Sequence, residues 1–146
     1  SSLSETYGNW TMQCQTAASI DDNGGKRTCQ VSQELGQADT GNRIITAVYT
    51  TEPRQITIIA PFGLDLRKGI VLTVEEKSLP VASFATCLPS IGCIADLMLD
   101  DEGLAELKSA KSLAVLMVGR NGQKLQTNMS LDGFVEAATR LQSIQE

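Results

Sequence analysis

The stretch Phe84-Ala-Thr-Cys-Leu-Pro-Ser-Ile-Gly-Cys-Ile-Ala-Asp-Leu-Met-Leu99 decides how the fold is interpreted. Its two cysteines, Cys87 and Cys93, enclose a short loop that contains proline and glycine. Segments typical of β-strands flank this loop, and proline and glycine mark turns. The stretch therefore predicts two strands joined by a tight, cross-linked loop. The acidic triplet that follows, residues 100–102, predicts the start of a helix, since carboxylates suit the positive N-terminal end.

The chain has four cysteines, which allow three pairings. Cys14 and Cys29 lie in two candidate strands joined by a turn at Asp21-Asp22-Asn23-Gly24-Gly25. An antiparallel register that places these cysteines opposite each other also pairs the apolar residues Met12 and Val31. We therefore predict a Cys14–Cys29 disulfide.

The second predicted disulfide is Cys87–Cys93, which closes the loop of the opening stretch. Two disulfides are typical of a periplasmic or extracellular protein. The alternatives are four reduced thiols or a zinc site, but a chain without histidine would need four cysteine ligands from distant segments.

Length and composition favour one soluble domain over residues 1–146, with a polar, frayed start at residues 1–9. Apolar residues make up 42% and aromatic residues only 4%, so the core must be aliphatic. The net charge of −5 and the lack of a Lys/Arg cluster argue against a nucleic-acid partner. No apolar run approaches the ~20 residues of a membrane span. We expect that a signal peptide was removed.

Alternating and β-branched segments predict about nine short strands separated by turns, one of them at residues 39–42. Helical spacing predicts a short helix near residues 102–110 and a C-terminal helix near residues 131–145, capped by Ser130. Because the strands and helices do not alternate along the chain, the pattern favours a β-sandwich over a parallel α/β sheet.

The sequence contains no catalytic motif. There is no histidine, which removes the commonest general base and the triads built on it. Phosphate-binding and dinucleotide-binding glycine motifs are absent as well. Carboxylate pairs have simple interpretations as turns, strand ends and helix caps, and the acidic turn at residues 21–24 lacks the later glutamate of a calcium loop. We therefore predict no catalytic residues, no cofactor and no metal.

Several markers, spread in order over nearly the whole chain, resemble the invasion-associated locus B family. They are Tyr7-Gly-Asn-Trp10, Pro61-Phe-Gly-Leu-Asp-Leu66, Thr86-Cys-Leu-Pro-Ser-Ile-Gly-Cys93 and Leu131-Asp-Gly-Phe134. The cysteine loop is one residue longer here than in the family pattern. The resemblance implies a small secreted or periplasmic bacterial protein with an immunoglobulin-like β-sandwich. It also implies an association with host-cell invasion, of erythrocytes in particular, and no catalytic residues.

Three hypotheses follow. The first is a non-enzymatic envelope protein that binds another protein through a surface formed by Trp10, Phe62, Leu64, Leu88 and Ile91. The second is a periplasmic carrier of a small ligand, or a chaperone-like adaptor, which would need a cavity of about 300 Å³ or more. The third is an enzyme that uses carboxylates or a Ser/Lys pair, which would need shifted pKa values in one cleft.

Overall fold

A computed structural model describes residues 2–16, 27–36 and 43–145, which form eleven strands and two α-helices. The strands are β1 (Ser2–Tyr7), β2 (Trp10–Thr16), β3 (Arg27–Gly36), β4 (Arg43–Thr51), β5 (Arg54–Ala60), β6 (Val71–Val74), β7 (Lys77–Ser78), β8 (Ser83–Leu88), β9 (Gly92–Met98), β10 (Ser112–Val118) and β11 (Lys124–Ser130). The helices are α1 (Asp101–Ser109) and α2 (Phe134–Gln145), and a 3₁₀ helix spans Leu66–Lys68. The turns predicted at residues 21–25 and 39–42 lie outside the described residues.

The strands form two antiparallel sheets. The larger has seven strands in the order β1-β2-β3-β4-β5-β9-β8, and the smaller has four in the order β11-β10-β6-β7. The prediction of an all-β fold with two minor helices is confirmed. Strands β1 to β5 are sequential neighbours in one sheet, whereas an immunoglobulin domain divides its consecutive strands between two sheets. The connection order therefore differs from the immunoglobulin order.

One apolar core lies between the sheets and under α2. Buried side chains alternate along the strands, as expected for sheets with one face in the core; in β10, for example, Leu113, Val115 and Met117 are buried. Phe134 of α2 is fully buried and makes edge-to-face contacts with Trp10 at 5.2 Å and Tyr49 at 5.3 Å between ring centroids. The helix thus covers part of the larger sheet.

The first strand corrects a prediction. Residues 1–9 were expected to be frayed, but Ser2–Tyr7 pair along their whole length with β2. Glu5 anchors this strand to α2, because its carboxylate accepts hydrogen bonds from Arg140 Nε at 2.8 Å and Arg140 Nη2 at 3.2 Å. The Tyr7 hydroxyl donates to the same carboxylate at 2.6 Å. The polar composition of these residues gave no signal of a strand, and the partner that anchors Glu5 lies 135 residues away in the sequence.

The start of α2 is the second correction. The helix was predicted from about residue 131 with Ser130 as its cap, but it begins at Phe134. Gly133 has a φ of +88°, outside the helical region, so the chain turns there before the helix begins. Ser130 ends β11 instead, and its hydroxyl accepts a hydrogen bond from the Asp132 backbone N–H at 3.0 Å.

Candidate functional site

The cysteine loop of the opening stretch forms the hairpin between β8 and β9. The structure joins Cys87 to Cys93, which face each other in the strand register, and joins Cys14 to Cys29 in the same way. These are the pairings predicted from the sequence, and all four cysteines are in disulfides. The hairpin carries two exposed apolar side chains, Leu88 and Ile91. Two disulfides suit an oxidising compartment.

Strand β8 is an outer edge of the seven-stranded sheet, and no further strand of the described residues pairs with it. Such an edge presents backbone groups to other chains, and proteins usually protect it with charged residues, proline, shortness, a β-bulge or a covering segment. The other three edge strands follow that rule, since β1 holds Glu5, β11 holds Lys124, and β7 has two residues, one of them Lys77. The six residues of β8, Ser-Phe-Ala-Thr-Cys-Leu, include neither a charge nor a proline. Its first half is protected in other ways, by a register shift between Phe84 and Thr86 and by the bridge of Ile70 to Ala82 just before the strand, so the unprotected edge is its hairpin end, residues 86–88.

Exposed apolar side chains concentrate around this edge. Of the eight large hydrophobic side chains exposed in the described residues, five lie in or beside segments that border β8, and we call them the edge patch: Phe62, Leu66, Val81, Leu88 and Ile91. The 3₁₀ helix that holds Leu66 packs beside β8. Gly69 directly after this helix lies close to Val81, since a Cβ built on Gly69 would be 2.6 Å from the Val81 side chain. Phe62 follows the end of β5, where Ala60 pairs with Cys93.

The Pro61–Leu66 segment positions Phe62 through its backbone. Leu64 bridges to Gly119, the Arg120 N–H donates to the Gly63 carbonyl at 3.0 Å, and the Asp65 N–H donates to the Val118 carbonyl at 2.8 Å. Leu64 is thereby drawn into the core, with 5% of its surface exposed, while Phe62 is 58% exposed.

Asp65 holds the 3₁₀ helix in place, because its carboxylate accepts from the Arg67 backbone and side chain, both at 3.1 Å. The Arg67 side-chain hydrogen bond lowers the pKa of Asp65 below its usual value. Arg67 and Lys68 are exposed beside Leu66. Because Asp65 offsets the charge of Arg67, the edge patch has about one net positive charge at this margin, that of Lys68.

Two residues of the predicted partner surface are not accessible, and this corrects the prediction. Trp10 has 0% exposure, packs on Phe134, and donates from its indole Nε1 to the Ser130 carbonyl at 3.0 Å. Leu64 is buried as described above. Phe62, Leu88 and Ile91 are exposed, and sequence reasoning missed Leu66 and Val81, whose apolar character gave no signal of exposure.

Three of the carboxylates considered for catalysis have structural partners, whereas the acidic turn at residues 21–24 lies outside the described residues. Asp100 caps α1 by accepting from the Gly103 N–H at 2.7 Å, and Asp101 pairs with Arg54 at 2.9 Å. Glu75 accepts from the Lys111 N–H at 3.1 Å. In the described part of the chain, no group of three or more potential metal ligands comes together. Neither described helix is long and apolar enough to cross a membrane.

A groove between α1 and α2 was missed entirely by sequence reasoning. It has a volume of about 720 Å³ and is lined by residues from β4, β5, the end of β9 and both helices, among them Tyr49, Arg54, Met98, Leu104 and Lys108. Burial raises the pKa of the Tyr49 hydroxyl, and the nearby Arg54 guanidinium opposes this shift. Because the lining residues are scattered over the sequence, no local motif could have indicated the groove.

Comparisons with known proteins agree with the fold and the motifs. The family model described as "Invasion associated locus B (IalB) protein" matches residues 10–142. An invasion protein B homologue of Brucella abortus (strain 2308) is 34% identical, with 99% of this chain and 82% of the homologue covered. Invasion protein B of Bartonella bacilliformis is 32% identical, with 100% and 78% covered.

A solved structure is similar over nearly its whole length. The crystal structure of invasion associated protein B from Bartonella henselae superposes with a TM-score of 0.81 at 26% sequence identity. The match covers 98% of this chain and 97% of that chain.

Proposed function

Because this chain belongs to the invasion-associated locus B family, we propose that it is a non-enzymatic periplasmic or secreted envelope protein that acts by binding another protein at β8. The observation that carries this proposal is the unprotected hairpin end of the β8 edge, residues 86–88, within the edge patch. An extended segment of a partner can add to such an edge as a further strand, with main-chain hydrogen bonds for affinity and side-chain pockets for specificity.

The chemistry of the edge indicates what the partner segment contains. Apolar side chains of the segment would pack on Leu66, Leu88 and Ile91, and an acidic side chain would suit the positive margin at Lys68. The relatives are named as invasion proteins, which supports a role of such binding in invasion. The family resemblance implies host cells, erythrocytes in particular, as the target. The oxidised cysteines support a location outside the cytoplasm.

The test is site-specific photo-crosslinking in the native envelope. A crosslinking amino acid at Leu88 should capture a protein that the same probe at Leu125, an exposed residue on the opposite sheet edge β11, does not capture. The captured protein is then purified and its binding measured directly.

A variant with a charged residue on β8 tests directly whether the partner binds at this edge. Thr86→Lys places a lysine on exposed β8, and we expect it to weaken binding of the purified partner at least tenfold, while Thr127→Lys on β11 leaves binding unchanged. Equal capture from both positions, or full binding by Thr86→Lys with an unchanged melting temperature, would contradict the proposal.

A further inference from the structure

The groove between α1 and α2 has the size of a small-molecule site. Its volume of about 720 Å³ lies within the range of roughly 300–1,000 Å³ that is usual for ligand pockets. Apolar side chains from the end of β9 and from α1, namely Met98, Leu99 and Leu104, form part of the lining. Met98 is 62% exposed, so a ligand laid along the groove would bury apolar surface that water now contacts.

Tyr49 supplies a polar group without a partner. Its ring packs on Phe134 and the residue is only 3% exposed. Buried tyrosine hydroxyls usually have a hydrogen-bond partner, but no described residue bonds to this one. Thr46 Oγ1 is the sole fully buried side-chain polar atom without a partner in the described residues. The Tyr49 hydroxyl therefore keeps contact with solvent, and the groove that Tyr49 lines is where this contact occurs.

Two cations line the same groove. The Arg54 side chain is fixed, since Nε donates to the Leu99 carbonyl at 2.9 Å and Nη2 pairs with Asp101 at 2.9 Å. Lys108 lies in the last turn of α1 and forms no ion pair with a described residue. The lining contains no carboxylate. Because Asp101 offsets one of the two positive charges, the groove has about one positive charge left, which suits a ligand with a single negative charge.

We propose that this groove binds a small amphipathic monocarboxylate, whose head group accepts from the Tyr49 hydroxyl and lies beside Arg54 and Lys108. The aliphatic tail lies along Met98, Leu99 and Leu104. This site is separate from the edge patch, on different elements, so binding of a carboxylate does not depend on the proposed protein partner.

The test uses octanoate as the probe, with octanol and octylamine as neutral and cationic analogues of the same length. Isothermal titration and NMR titration of the full chain should show saturable octanoate binding, with amide shifts concentrated in α1, α2 and the end of β9. Octanol should bind at least tenfold more weakly, and octylamine more weakly still. Equal binding of the three probes, no octanoate binding, or shifts confined to other parts of the chain would overturn the proposal.

Matched variants test the named residues. Tyr49→Phe removes only the hydroxyl and keeps the contact with Phe134, and we expect it to weaken octanoate binding about tenfold, the value of one hydrogen bond to a charged group. Lys108→Gln should have a similar effect, whereas Lys124→Gln on β11 should have none. Unchanged affinity in both Tyr49→Phe and Lys108→Gln would overturn the assignment, and an unchanged melting temperature of each variant shows that the fold is intact.

Discussion

At the scale of single residues, Thr46 is the exception to the rule that buried polar groups have hydrogen-bond partners. It is buried, and its hydroxyl has no hydrogen-bond partner among the described residues. A buried polar group in this condition costs about 1–3 kcal/mol. Thr46→Val keeps the β-branched shape and removes the hydroxyl, so we expect the free energy of unfolding to rise by about 1 kcal/mol in urea denaturation.

Thr57 on the neighbouring strand is the control. Its hydroxyl donates to Asp96 at 2.7 Å, so Thr57→Val breaks a hydrogen bond and should destabilise the protein by about 1 kcal/mol. If both variants change stability in the same direction, the interpretation of Thr46 is wrong.

Glu5 makes stability depend on pH. The hydrogen bond from Arg140, then the one from Tyr7, lowers the pKa of Glu5 below its ordinary value of 4.5 in the folded protein. Folding therefore favours the ionised form. The stabilisation is complete at pH values above 4.5 and is lost as the pH falls through the folded-state pKa.

Melting temperatures as a function of pH check this expectation. Glu5→Gln should melt below the wild type near neutral pH, and the difference should shrink as the pH falls below about 4. Arg140→Gln should show the same convergence, since it removes the partner. A difference that stays constant across the acid range would contradict the assigned cause.

Accessibility of individual side chains was only partly predictable. Hydrophobicity cannot distinguish Phe62 from Leu64, two residues apart in one loop, yet one is exposed and the other buried. The difference arises from the bridge between Leu64 and Gly119, a contact between segments that are distant in sequence. Trp10 is buried for the same kind of reason, since Phe134 and Ser130 cover it.

At the scale of elements, the two disulfides should contribute unequally. Cys14–Cys29 closes a separation of 15 residues, and Cys87–Cys93 closes one of 6. In the chain-entropy model these bonds are worth about 3 and about 2.4 kcal/mol. We expect the double variant Cys14→Ala/Cys29→Ala to lose more stability in urea denaturation than Cys87→Ala/Cys93→Ala.

The reduced wild type is the reference for this comparison, because its loss should approach the sum of the two double variants. A larger loss from the Cys87–Cys93 pair would show that the loop enthalpy at the β8–β9 hairpin outweighs the entropy of closure. Loss of partner binding in that variant alone would further link the hairpin to the edge patch.

Elements with strong local patterns were predictable from the sequence. Alternating and β-branched segments located nine of the eleven strands, all except β1 and the two-residue β7, and the pairing of Met12 with Val31 gave the correct register of β2 and β3. The strand β1 was not predictable, because its residues are mostly polar and gave no hydrophobic alternation. The late start of α2 was not predictable either, because Gly133 lies against the backbone of Tyr7 at the other end of the chain. The groove is a further case, since it exists only where α1, α2 and the end of β9 meet.

At the scale of the whole molecule, two family motifs that are distant in sequence are in direct contact, and we call this contact the motif crossing. Asn9 N–H donates to the Asp132 carbonyl at 3.0 Å. A Cβ built on Gly133 would lie 1.8 Å from the Tyr7 carbonyl oxygen, so only glycine fits at this crossing. Tyr7-Gly-Asn-Trp10 and Leu131-Asp-Gly-Phe134 are therefore two halves of one structural feature.

Gly133→Ala tests the motif crossing, and the same substitution at Gly122 is its control. Gly122 has a similar φ, +85° against +88°, but no atom lies within 4 Å of a Cβ built there. Gly122→Ala should cost only the backbone strain of about 1–2 kcal/mol. Gly133→Ala should cost substantially more in thermal denaturation, since the Tyr7 backbone must also move, and equal losses would show that the crossing tolerates a methyl group.

The motif crossing also determines when folding can be completed. The indole hydrogen bond of Trp10 joins residues 120 positions apart, and contacts of such long sequence separation form late and slowly. A growing chain can form the β2–β3 hairpin early, but it cannot enclose Trp10 until residue 134 has been made. The single tryptophan is thus a built-in fluorescent reporter of the last step of folding.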